Sequence, residues 1–113
     1  MALQVVAFPI APGKTEEWRK FIGDLNGARH ADYVASRRGL GVHERTFLQS
    51  TPMGDLVIVT LEGDSPGEAF GRFVTSSDPF ARWFIGKVNE LHGIDIAQAA
   101  SGPMPELVVD SAG

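Results

Sequence analysis

An α+β fold of the ferredoxin-like βαββαβ type, an antiparallel sheet with helices on one face, is predicted by three observations. Apolar strand-like segments and amphipathic helical stripes alternate in the order strand, helix, strand, strand, helix, strand. Only Thr51-Pro52-Met53-Gly54 separates the two central strands, so they form an antiparallel hairpin. Two strands are apolar on both faces, although the helices can cover only one face of a small sheet. Successive strand side chains point to opposite sides. Leu56 and Ile58 therefore oppose Val57, Val59 and Leu61, and Leu3, Val5 and Ala7 oppose Val6 and Phe8. A half-solvated antiparallel sheet would alternate apolar with polar residues. The expected cover for the second face is another copy of the same chain, and Val59 is placed on the face that copy would bury.

The first strand ends at Pro9, and Ile10-Ala11-Pro12-Gly13 is a turn. Trp18, Phe21, Ile22 and Leu25 then fall at i, i+3, i+4 and i+7, one stripe of an amphipathic helix with Glu16 and Glu17 in its first turn. Residues Arg29 to Arg38 continue this helix with a bend or form a second one stopped at Gly39. A strand over Gly41 to Gln49 sets Val42, Glu44, Thr46 and Leu48 on one face and His43, Arg45, Phe47 and Gln49 on the other. Ser65-Pro66-Gly67-Glu68 matches a capping box with proline at the first helical position, and Phe70, Phe73 and Val74 are the buried stripe. Asp78-Pro79 repeats the start signal, Phe80, Trp83, Phe84, Val88 and Leu91 continue at helical spacing, and Gly93 ends the helix. The last strand falls near Ile94-Asp95-Ile96 or at Glu106-Leu107-Val108-Val109. The second has the better strand composition, and the end should fray from about residue 110.

The 113 residues suit one domain, 1–113, that buries roughly two-thirds of its unfolded surface. A net charge of −4 argues against nucleic acid as the main partner, since phosphate binding needs a positive surface. The absence of cysteine excludes disulfides, thiolate catalysis and cysteine-ligated metal. Met1-Ala2-Leu3-Gln4 lacks the basic start of a secretory signal, and no apolar run nears the roughly 20 residues of a membrane span, so a cytoplasmic location is expected, with no membrane contact.

Phe8-Pro9-Ile10-Ala11-Pro12-Gly13-Lys14 leading into Trp18-Arg19-Lys20-Phe21, the Gln49-Ser50-Thr51-Pro52 hairpin, Asp78-Pro79-Phe80-Ala81-Arg82-Trp83-Phe84 and His92-Gly93-Ile94-Asp95 carry a resemblance across nearly the whole chain. It resembles the dimeric α+β barrel superfamily, most closely a small uncharacterised bacterial group related to antibiotic-biosynthesis-monooxygenase-like proteins. The resemblance implies a homodimer packed sheet to sheet and a small-molecule cleft between sheet and helices. Superfamily members include monooxygenases, haem-degrading oxygenases and muconolactone isomerases, so fold does not decide function. The haem-degrading members use an Asn on the first strand with a Trp and a His in the second helical region. Trp83 and His92 lie in that region here, but the first strand offers only Gln4 as an amide, and no cofactor is expected.

Four residues are the candidates for ligand contact: His43, Arg45, Trp83 and His92. His43 and Arg45 share a strand face with Phe47 and would serve as acid/base and anion clamp if that face lined a pocket; otherwise they form a polar edge. Trp83 belongs to an aromatic cluster whose helical spacing also suits core packing. His92 stands at a helix C-terminus, where it contacts a ligand or caps the helix. The three histidines share no metal-ligand spacing, and no phosphate, dinucleotide or nucleophile-elbow motif is present. Three functions follow: binding of a small apolar or aromatic ligand by a homodimer; cofactor-free monooxygenase or isomerase chemistry with these four residues at the pocket; or a structural module that binds another protein.

Overall fold

The computed structural model describes residues 1–100, 102 and 104–112. β1 (Ala2–Pro9) is followed by α1 (Thr15–Asn26), α2 (His30–Leu40), β2 (Val42–Thr51), β3 (Gly54–Gly63), α3 (Pro66–Val74), α4 (Pro79–His92) and α5 (Ile96–Ala100). The strands form one sheet in the order β1-β3-β2, antiparallel throughout. The α+β class and the hairpin hold, but the βαββαβ order does not, because neither candidate for a fourth strand is one. Ile94 and Asp95 lead into α5, where Asn89 Oδ1 accepts from Ile96 N at 2.8 Å and Asp95 Oδ1 from Ala97 N at 3.1 Å. These bonds satisfy free N–H groups of a helix start, which a strand would not leave open. Residues 106–109 have strand composition but no ladder beside them.

Sheet periodicity decides what is core. Val57 and Leu61 of β3 and Val6 of β1 are buried, and Phe8, Val59 and Leu48 pack against the same cluster. The helices contribute Trp18, Phe21 and Leu25 from α1, Phe73 and Val74 from α3, and Phe80, Phe84, Ile85, Val88 and Leu91 from α4. Trp18, Phe21 and Leu25 keep the predicted stripe, with Ile22 half-buried at its margin. Val59 therefore faces the helices, and the opposite face carries Ile58 instead. There the register sets Ala7, Ile58 and Phe47 in one row and Val5, Thr60 and Arg45 in the next. Leu3 is 61% exposed and Phe47 51% exposed on that face.

Helix ends follow their residues with two corrections. Asp78 Oδ2 accepts from Ala81 N at 3.2 Å, Pro79 takes the first helical position, and Gly93 at φ 65° closes α4. α2 runs past Gly39 to Gly41, whose φ of 72° and N–H bonds to the Arg37 and Arg38 carbonyls end the helix. Gly63 packs its bare α-carbon against the Gly41 carbonyl, where no β-carbon fits. The Ser65 capping box does not form. With its backbone at φ −142° and ψ 68°, against φ −57° and ψ 135° at Asp78, the Ser65 hydroxyl makes no bond to α3. No helix among the described residues is long and apolar enough to cross a membrane.

Candidate functional site

The helix-facing side of the sheet and the helices line a partly open cavity of about 80 Å³. Sheet residues Val6, Phe8, Val57, Val59 and Leu61 form one wall, and Trp18, Phe21, Leu25, Phe73, Phe84 and Val88 form much of the other. Arg37, Glu44, Thr46 and His92 are the polar residues on this wall. A water needs roughly 10–15 Å³ of such space and two to four polar partners. The space suffices for more than one water, but the wall is mostly hydrocarbon, which suits an apolar guest.

Arg37 and Glu44 are a buried ion pair joining α2 to β2. Arg37 Nη2 lies 3.2 Å from Glu44 Oε1, and both side chains are only 9% exposed. Glu44 Oε2 accepts the Tyr33 hydroxyl, and Arg37 Nη1 donates to Ser36 Oγ at 2.9 Å. The guanidinium carbon stands 4.3 Å from the Phe73 ring centroid, 4.7 Å from Phe84 and 5.0 Å from Tyr33, so aromatic faces replace part of its hydration. Burial, and then the Glu44 carboxylate, push the Tyr33 phenol far above its ordinary range, so it stays a hydrogen-bond donor. Arg37 Nε is buried and has no hydrogen-bond partner among the described residues. With its charge matched by Glu44, this arginine is a polar anchor of the wall and not an open anion clamp.

His92 closes α4 against β1. Its Nδ1 stands 2.7 Å from the Pro9 carbonyl oxygen. A carbonyl only accepts, so the bond assigns the proton to Nδ1 and the lone pair of the neutral ring to Nε2. Burial pulls the His92 pKa below its ordinary value, and the bond to Pro9 partly offsets that. The chemistry available is therefore that of a neutral imidazole at an apolar wall, able to accept a proton.

The fold separates the four candidates. His92 lines the cavity. Trp83 stands outside its wall, with the Arg29 guanidinium carbon 4.3 Å from its ring centroid and Phe21 and Phe80 beside it. His43 and Arg45 are exposed on the opposite face of the sheet, where Arg45 Nη1 lies 3.5 Å from Glu62 Oε1. The polar residues that sequence reasoning left out are Arg37, Glu44 and Tyr33. A signal for them exists: Glu44 falls between Val42, Thr46 and Leu48 on the core-facing side, and a carboxylate there needs a donor. Tyr33 and Arg37, at i and i+4, share one helix face that supplies two. Among the described residues no group of three His, Asp or Glu side chains is gathered to hold a metal ion. Comparison with protein-family models, curated proteins and solved structures finds no significant match.

Proposed function

We propose that this chain binds a small apolar or aromatic molecule in the cavity between its sheet and its helices, and works as a homodimer packed sheet to sheet. The observation that carries the ligand reading is the cavity itself, an apolar chamber with a matched ion pair and a neutral histidine on its wall. Pockets of that make-up favour uncharged, mostly hydrocarbon guests oriented by one or two hydrogen bonds. The dimer reading rests on Leu3, Val5, Ala7, Phe47, Leu56 and Ile58, an apolar set on the sheet face away from the helices. Apolar surface of that kind is what an obligate partner buries. A different protein seated on the same face is the competing occupant.

A second reading, cofactor-free monooxygenase or isomerase chemistry, is favoured by His92. Its Nε2 lone pair would take a proton from a phenolic or enolic substrate held in the cavity, and the bond from Nδ1 to Pro9 would keep the ring oriented. Thermal-shift screening with aromatic acids, quinones and haem tests both readings. A ligand at 100 times its dissociation constant stabilises the native state by about 2.7 kcal/mol. Trp18, on the cavity wall, supplies an independent fluorescence signal. Ala69→Leu, which adds bulk at the wall, should abolish the shift. A shift that survives Ala69→Leu places the ligand elsewhere, and no shift with any class removes the ligand reading. Turnover of a binding compound that is lost in His92→Gln selects the enzymatic reading.

A further inference from the structure

The C-terminal segment and one of the two sheet edges, that of β1, complement each other. Leu107, Val108 and Val109 are 77%, 81% and 80% exposed, an apolar run with water on all sides. Such a run is costly in water, and its β-branched composition suits a strand apolar on both faces. At the other end of the chain, β1 is an edge strand. Ile10 N donates to the carbonyl of Asp55, the residue opposite it, so in this ladder the even-numbered residues of β1 direct their backbone groups toward β3. The backbone groups of Leu3, Val5 and Ala7 therefore point off the sheet. Two carbonyls along that edge have side-chain donors, Val5 from Gln4 Nε2 at 3.1 Å and Pro9 from His92 Nδ1 at 2.7 Å. By the same parity the N–H groups of Leu3, Val5 and Ala7 point away from β3. β1 is itself apolar on both faces, so an added strand must be apolar on both faces as well. Residues 107–109 are.

We propose that residues 106–109 of one chain add as a strand to the β1 edge of a second copy, with the exchange made in both directions. The segment stands clear of its own sheet, and of the two edge strands, β1 and β2, β1 is the one apolar on both faces, while β2 carries His43, Glu44 and Arg45. Mutual exchange therefore closes a two-fold dimer in which both arms and both β1 edges are paired. Backbone hydrogen bonds supply the affinity, and alternate apolar side chains extend the two faces of the acceptor sheet. This contact goes beyond the sheet-to-sheet reading, since it uses an edge and not a face.

The chain has no cysteine, so introduced thiols report directly. Leu3→Cys, Val5→Cys or Ala7→Cys, each combined with Val108→Cys in the full chain, is oxidised and the disulfide located by mass spectrometry. The expected result is a covalent dimer joining position 108 of one chain to a β1 position of another. A link within one chain, showing that the segment pairs with its own sheet, overturns the proposal, and so does the absence of any 108-to-β1 link. Val108→Pro removes an N–H at a position exposed in the single chain, so its circular dichroism should be unchanged. Its self-association by sedimentation should weaken about tenfold, which is the effect of losing one or two ladder bonds. An unchanged dissociation constant overturns the exchange. If Val108→Pro leaves a dimer intact that Ile58→Lys abolishes, the exchange fails and the sheet-to-sheet dimer stands.

Discussion

Glu44 illustrates how one side chain sets the demands on its neighbours. A carboxylate on the core face of β2 is tolerable because Arg37 and Tyr33 both reach it, and the Arg37 charge is in turn held among aromatic rings. Glu44→Gln keeps the shape but leaves Arg37 buried without its counter-ion, and should cost about 3–5 kcal/mol in urea denaturation. Tyr33→Phe removes only a donor to that carboxylate and should cost about 1.5–3 kcal/mol. Replacing both ions, Arg37→Met with Glu44→Leu, should recover much of the loss, because the pair's desolvation then vanishes with it. His92 makes a different demand. Its folded-state pKa lies below the ordinary 6.5, so the neutral ring is the form the fold prefers. The stability it contributes is complete above about pH 6.5 and is lost as pH falls through the lower folded value. Urea midpoints measured from pH 7.5 down to pH 5 should therefore decline more steeply for the native chain than for His92→Gln. Equal slopes would show that the ring does not titrate with folding.

Two helix starts with similar sequences behave differently. Asp78 caps α4 through Ala81 N, and Ser65, with an equally suitable hydroxyl, does not cap α3. Asp78→Ala should accordingly lower stability by about 0.5–2 kcal/mol, whereas Ser65→Ala should leave the denaturation midpoint unchanged within error. Pro66 at the first helical position and the buried stripe of Ala69, Phe73 and Val74 hold α3 without a side-chain cap. The stripes of α1, α3 and α4 were legible because helical periodicity is a local property of the chain. Cap geometry was less so, since it depends on the backbone angles of the residue before the helix, and these are set by where β3 delivers the chain.

In the whole molecule the sheet divides two environments. One side meets the helices and the cavity, and the other carries Ile58 and Phe47 toward water. Ile58→Lys should convert a homodimer to monomer by light scattering, with the circular dichroism spectrum kept, since a lysine there is solvated once the partner leaves. Val59→Lys should instead unfold the chain, because Val59 packs against the core and a lone charge there finds no partner. A variant that unfolds on Ile58→Lys, or a native chain monomeric at micromolar concentration, would contradict the sheet-to-sheet dimer.

Residue order alone determined the α+β class, the central hairpin, the helical stripes and the αL glycine at position 93, because each is written in contacts a few residues apart. It also placed Glu44 on the opposite strand face from His43 and Arg45, since that parity is fixed by the pleat. Tertiary structure alone decided which face of an all-apolar strand turns inward, and thereby moved His43 and Arg45 away from the cavity and left His92 on its wall. The pairing of Arg37 with Glu44 was likewise settled only when α2 packed across β2. Residues 106–109 show the boundary between the two: their composition is that of a strand, but a strand exists only beside another strand, and in the folded chain none lies beside them.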